Sequence, residues 1–219
     1  MTWMLADNSS KAASVRFRER IARGDSITVP GVFNPLTAKL AEKIGFEATY
    51  FSGAAFSAGL GIPDIGLFSL DELTDAVRWM VRASEVPLIV DADTGFGEAL
   101  NVVRTVKELE DAGSAAIQIE DQVLPKRCGH LEGKTVITAD AFAEKIAAAS
   151  RARKDMLIIA RTDVRALEGM DAAIERGLMC RRAGADIIFP EAMQTEEEFA
   201  RYADAVGGPL LANMTEFGK

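Results

Sequence analysis

Residues 120–130, Glu-Asp-Gln-Val-Leu-Pro-Lys-Arg-Cys-Gly-His, gather two carboxylates, two cations, a thiol and the sole histidine of the chain. The apolar run Ala115–Ile119 leads straight into them, which places the cluster where a buried strand emerges. Such groups at a strand exit suit proton transfer beside an anionic ligand better than they suit packing. Cys128 lies between Arg127 and Gly129, two residues from His130, and these polar neighbours argue against a plain core role. Cys180 falls on a helical apolar pattern and reads as inert. His130 fits a loop brace as well as a catalytic group, and the base role stays unassigned.

Other chemistry ends other apolar runs. Asp91 and Asp93 follow Pro87–Val90, and on an extended chain the alternation of side chains puts both on one side. Like charges so close are costly without a cation. Mg²⁺ held through oxygen ligands and waters is the natural partner, and a solvated strand end or helix cap is the competing reading. Glu120 could reach the same ion, directly or through water. Arg161 offers a planar fork for carboxylate or phosphate; a salt bridge to Asp163 or Glu191 is equally compatible with its position. Tyr50-Phe-Ser52-Gly53 offers a phenol, a hydroxyl and loop amides, a weak signal alone. Glu196–Glu198 reads as the solvated first turn of a helix.

Positioning these groups takes a repeated unit. Apolar runs recur at 27–30, 48–51, 87–90, 115–119, 156–160, 186–189 and 209–212, with amphipathic segments between them. The segments carry Leu73, Val77, Met80; Val103, Val106, Leu109; Phe142, Ile146, Ala149; and Phe199, Tyr202, Val206, each set on one helix face. Continuous apolar runs indicate strands covered on both sides, and the alternation means α/β with a parallel sheet. Ala-Gly pairs at 112–113 and 183–184 close two helices. Ser52, Asp91, Glu120, Arg161, Glu191 and Asn213 each sit at or just past the end of a run, as barrel enzymes place their chemistry. A Rossmann sheet would want Gly-x-Gly-x-x-Gly after its first strand, where this chain has Gly31-Val-Phe-Asn34. The expectation is a TIM-type (β/α)8 barrel, C-terminally shortened so that about seven strands are present. It forms a single domain over 1–219, lacking the eighth strand and C-terminal helices. Two long connections, Ser52–Phe68 and Asp121–Ile137, read as covers on the functional rim; the first is rich in glycine around Pro63-Asp64.

Bulk properties narrow the class. With 219 residues, 48% of them hydrophobic, the chain can bury one sizeable core. No membrane span is expected, and Met1–Ser14 lacks the apolar core of a secretory signal. Two cysteines make neither a disulfide framework nor a zinc motif, so a reduced, cytoplasmic setting fits. A net charge of −8 argues against nucleic acid as a partner. Local cations such as Lys126, Arg127 and Arg161 can still set the field for a small anion.

The ordered set Tyr50-Phe-Ser-Gly53, Asp91-Ala-Asp-Thr-Gly-Phe-Gly97, Ile119-Glu-Asp-Gln122, Lys126-Arg-Cys-Gly-His130, Ala160-Arg-Thr-Asp163, Pro190-Glu191 and Asn213-Met-Thr-Glu-Phe-Gly218 resembles the isocitrate lyase and phosphoenolpyruvate mutase superfamily. The likeness covers about residues 15–219. Lys126–His130 is its most specific part, and the 2-methylisocitrate lyases are the most similar branch. The resemblance implies Mg²⁺-assisted (Mn²⁺ possible) carbon–carbon cleavage of a 2-hydroxy di- or tricarboxylate. It implies Asp91 and Asp93 as metal ligands, with Glu120 acting through water. Tyr50, Ser52, Gly53, Arg161, Asn213 and Thr215 would serve substrate oxygens, with Glu191 lining the pocket. Cys128 would be the proton donor, and Lys126, Gly129 and His130 would shape its loop. Family members continue past the seventh strand with an eighth strand, a helix exchanged between subunits and a further arginine, and a homo-oligomer, a tetramer in full-length relatives, is implied. Val123-Leu-Pro125 is more like the dimethylmalate lyases, whereas Thr215-Glu-Phe-Gly points back to methylisocitrate. Dimethylmalate cleavage, hydrolysis of an oxaloacetate-like acid, phosphonomutase chemistry (disfavoured by Cys128) and a non-catalytic carboxylate-binding form stay as alternatives.

Overall fold

A computed structural model describes residues 12–127, 129 and 133–214. Six parallel strands form one sheet in sequential order: β1 (Gly31–Val32), β2 (Thr49–Phe51), β3 (Leu88–Asp91), β4 (Ala116–Glu120), β5 (Leu157–Thr162) and β6 (Ile187–Pro190). Helices carry the chain back after each strand. They are α2 (Pro35–Ile44), α3 (Gly53–Gly59) with α4 (Leu70–Ala83), α5 (Ala99–Asp111), α6 (Ala139–Ala152), α7 (Arg165–Glu168) with α8 (Met170–Arg182), and α9 (Glu196–Val206); α1 (Ala13–Ile21) precedes β1. A doubly wound sheet would reverse its order at a switch point. This one does not, and it forms the wall of a (β/α) barrel.

Every residue of β3, β4, β5 and β6 is buried, because helices cover one face and the barrel interior the other. Alternation along the strands sorts the core in two. Leu88, Val90, Ile117, Ile119, Ile158 and Ile188 pack outward with the helices. Ala48, Ile89, Ala116, Leu157, Ile159, Ile187 and Phe189 pack inward, with Phe17 of α1 among them. Continuing the inward series toward the strand ends gives Tyr50 and Ser52, Asp91, Gln118 and Glu120, Arg161, and Glu191. The same period that builds the core therefore aims the polar groups at one end.

Several expectations shift. The first strand is Gly31–Val32 rather than 27–30, although the Pro30 carbonyl still accepts the Tyr50 N–H at 3.0 Å. The seventh run contributes one parallel bridge, Leu210 to Ile188, in place of a strand. In α5 it is Val102, not Val103, that is fully buried, and in α9 Tyr202 and Val206 reach the core while Phe199 packs at its edge. The connection after β2 opens with α3, started by Ser52, whose hydroxyl accepts the Ala55 N–H at 3.2 Å. Asn34 with Thr37 and Ser69 with Glu72 form reciprocal capping boxes on α2 and α4.

Carboxylates fasten the opposite end, where the strands begin. Glu110 accepts the N–H groups of Lys154, Asp155 and Met156, the last at 2.8 Å. Asp186 accepts Ile158 N–H at 2.9 Å and Glu42 accepts Glu85 N–H at 3.0 Å. Among the described residues, no helix is long and apolar enough to cross a membrane.

Candidate active site

The carboxyl ends of the strands surround a cavity of about 1060 Å³, lined among others by Tyr50, Ser52, Asp64, Asp91, Lys126, Gly129, Arg161 and Asn213. The chain reaches this arrangement by local devices. Asp91 ends β3, and its Oδ1 accepts the Asp93 N–H at 3.1 Å, turning the chain so that Asp93 adopts φ 48°. The two acids therefore meet through a left-handed turn and not through extended alternation. Gly53 comes so near that a β-carbon would lie 3.0 Å from Asp91 Oδ2, close enough that only glycine sits there without a shift.

Lys126 Nζ lies 2.5 Å from Asp64 and 2.7 Å from Asp93 Oδ1. Burial alone would lower the lysine's pKa, but Asp91, Asp93, Glu120 and Asp64 outweigh it and raise it. Burial, then the neighbouring Asp91, push the Asp93 carboxyl up to about 7 against the pull of Lys126. Glu120 is driven well above the carboxylate range, first by burial, although Arg161 and Lys126 oppose the shift. Arg161 is held by four groups. Its Nε is 3.1 Å from Asp163 and 3.5 Å from Glu120, its Nη2 is 3.5 Å from Glu191, and the guanidinium lies over the Phe189 ring at 5.1 Å. Both salt bridges foreseen as alternatives for Arg161 are present. Asn213 donates to Glu191 at 3.4 Å. Tyr50 donates its hydroxyl proton to Gln118, and enclosure, then Asp91, keep that phenol protonated well beyond its ordinary range.

The donor set fits a small divalent cation. Asp93 Oδ2 and Glu120 Oε1 are buried, with no hydrogen-bond partner among the described residues. Unpaired buried carboxylate oxygens are costly, and a hard cation with oxygen ligands relieves that cost. Among the described residues, no three His, Cys, Asp or Glu side chains stand close enough to cage an ion alone. An ion such as Mg²⁺ held by these oxygens would have to complete its shell with waters.

Cys128, His130 and Thr215 lie outside the described residues. The sequence reading overlooked Asp64, placing it in a glycine-rich cover. Its signal was available, since it is the only charged residue between Gly53 and Phe68. Gln118 and Lys134 were also passed over as parts of the site, while Asp121 was counted only within the 120–130 cluster and Asp163 only as an ion-pair partner of Arg161. They are fully or almost fully buried polar groups, and several of their partners stand far along the chain: Tyr50 for Gln118, Thr162 and Arg176 for Asp121, and Asp163 for Lys134.

The sequence matches the Phosphoenolpyruvate phosphomutase family over residues 17–218. A 2-methylisocitrate lyase of Aeropyrum pernix is 58% identical over 92% of this chain and 66% of its own length. Another of Bacillus subtilis is 47% identical over 100% of this chain and 73% of its own. The chain thus spans about two thirds to three quarters of these relatives. A crystal structure of 2,3-dimethylmalate lyase, a PEP mutase/isocitrate lyase superfamily member, superposes with a TM-score of 0.90 at 37% identity, over 95% of this chain and 72% of that one. Phosphonopyruvate hydrolase in complex with oxalate and Mg²⁺ superposes at 0.82 with 32% identity, over 92% and 71%. With its family match spanning nearly the whole length, and barrel and acidic rim alike in place, this chain belongs to the phosphoenolpyruvate phosphomutase family of the PEP mutase/isocitrate lyase superfamily.

Proposed function

We propose that this chain is a Mg²⁺-dependent carbon–carbon lyase that cleaves 2-methylisocitrate to pyruvate and succinate. The observation that carries the proposal is that Asp91, Lys126 and Arg161 line one cavity, while Asp93 beside Lys126 and Glu120 beside Arg161 keep buried carboxylate oxygens with no hydrogen-bond partner among the described residues. Asp91 and Asp93 would hold Mg²⁺, with Glu120 reached through water. When bound, the ion would lower the cost of negative charge on the hydroxyl oxygen that becomes the ketone. The pocket's own groups do the rest. Arg161 and Asn213 face the carboxylates of the substrate, while the Gly53 N–H braces Asp91 at 3.4 Å, and these fixed dipoles and charge favour the state in which charge has moved. Loss of the hydroxyl proton to a carboxylate or water in the pocket turns that oxygen into the ketone of pyruvate, and breaking the adjacent carbon–carbon bond leaves its electron pair on the carbon next to a carboxylate. Cys128 supplies the proton that turns this fragment into succinate. Because Tyr50 spends its proton on Gln118, its hydroxyl oxygen meets the substrate as an acceptor.

The relatives' names support this substrate, and the dimethylmalate lyase structure keeps 2,3-dimethylmalate as the second candidate. A homo-oligomer in the cytoplasm completes the proposal. The exposed stripe Leu36, Leu40 and Ile44 on α2 supports self-association, which light scattering measures. The decisive assay is pyruvate release from a panel of 2-hydroxy acids with and without Mg²⁺. Release from 2-methylisocitrate that is lost on chelation is the expected result, and release from none of the panel overturns the reading. Cys128→Ser should cut turnover by about 100-fold or more while substrate still binds; an unchanged rate would remove the thiol from the reaction.

A further inference from the structure

The connection from β4 to α6 is closed at its base by an antiparallel bridge between Gln122 and Val136. Val123 N–H donates to Thr135 O at 2.9 Å and Ile137 N–H to Asp121 O at 2.8 Å. The Gln122 side chain clasps both backbone groups of Arg127, at 2.8 and 2.9 Å. Lys134 stands on the returning arm with its side chain only 2% exposed. Its ammonium donates to the Gly129 carbonyl and, at 3.0 Å, to Asp163 Oδ1. The same Oδ1 accepts from Arg161 Nη2 at 3.2 Å, while Oδ2 accepts from Arg161 Nε at 3.1 Å. Gly129 packs close against that guanidinium. A β-carbon there would fall 2.5 Å from Arg161 Nη2 and 2.6 Å from Glu191.

The functional reading uses Arg161, the family resemblance gives Gly129 a place in the thiol loop, and neither gives Lys134 a part. Its plain role would be to neutralise Asp163, yet Arg161 already does so with two bonds. Burying a second cation is costly, and the other bond of that cation goes to the main chain of the loop. We propose that Lys134 is a positioning residue: it seats Gly129 on the Arg161 guanidinium and, through Asp163, holds the loop and the arginine in one fixed relation. The residue before Gly129 is the thiol that the lyase reading makes the proton donor, so the proposal rests on that reading for its kinetic consequence. Arg161 keeps Glu120, Asp163 and Glu191 when Lys134 is removed. Substrate binding should therefore survive where turnover does not.

The test uses the full chain, with Lys134→Met keeping the apolar stem and Lys134→Arg keeping a cation. Hydrogen exchange read by mass spectrometry, with no ligand added, should quicken by about tenfold in peptides covering 126–134 of Lys134→Met and stay unchanged across β5. Pyruvate release from 2-methylisocitrate with Mg²⁺ should show kcat down by roughly 10- to 100-fold and KM within about threefold. Lys134→Arg should recover most of kcat. Wild-type exchange in Lys134→Met overturns the proposal. So does a kcat loss that arginine does not rescue, with exchange raised across β5 as well, because Lys134 would then serve the fold alone. If the unaltered chain releases no pyruvate, the lyase reading fails, and the exchange comparison by itself decides whether Lys134 seats Gly129.

Discussion

Asp93 is a side chain whose negative charge the folded site supports poorly. Its carboxyl titrates near 7 in the folded chain, raised by burial and by Asp91 from an ordinary value of 3.8. The folded state therefore keeps a proton that the unfolded chain has already released between those values, and without metal this group's contribution to stability falls as pH rises from about 4 to 7. Metal binding needs the ionised form. Mg²⁺ affinity, measured by titration calorimetry, should rise about tenfold from pH 6 to pH 8 and level off above, as one proton near pKa 7 requires; equal affinities would show that Asp93 is already ionised at pH 6. Gly129 makes a steric prediction at the same scale. Gly129→Ala should lower kcat/KM by about 100-fold, since the added carbon must displace Arg161 or Glu191, while the melting temperature barely moves. Undiminished kinetics would mean that the contact is not made in the working enzyme.

Elements obey simpler rules, and most of them were legible. Buried strands announced themselves as unbroken apolar runs, and Gly113 and Gly184, at φ 100° and 103°, end α5 and α8 as the Ala-Gly pairs implied. The misses have physical causes. β1 is two residues long and shares one edge with β2 alone, so its apolar approach at 27–30 says little about where pairing begins. α3 was hidden in a glycine-rich segment because its start depends on the Ser52 cap and not on an amphipathic face. The acidic pair is brought together by a turn and not by alternation, since positive φ at Asp93 cannot be read from the sequence pattern. Caps of this sort carry measurable weight. Asn34→Ala should cost about 1 kcal/mol of stability in urea unfolding, by opening the reciprocal box that starts α2. A midpoint equal to that of the parent would show that Thr37 and Pro35 suffice.

Across the whole molecule, sequential parallel order sends every strand's carboxyl end to the same rim, so chemistry scattered over residues 50–213 converges without any long-range signal in the text. That convergence is what a single sequence conceals: Lys126 meets Asp64, and Lys134 meets Asp163, only once the barrel wall is built. The two ends also treat acids differently. Glu110 spends its carboxylate on three backbone N–H groups, whereas Asp93 and Glu120 keep oxygens unmatched. Glu110→Ala should lose roughly 1–3 kcal/mol of thermal stability and leave kcat where it was; a fall in kcat at a temperature far below melting would refute that separation. If it holds, robustness and substrate choice are inherited through different ends of the same strands. A lineage could then move to hotter habitats by editing the floor, or to new hydroxy acids by editing the mouth, with neither change taxing the other.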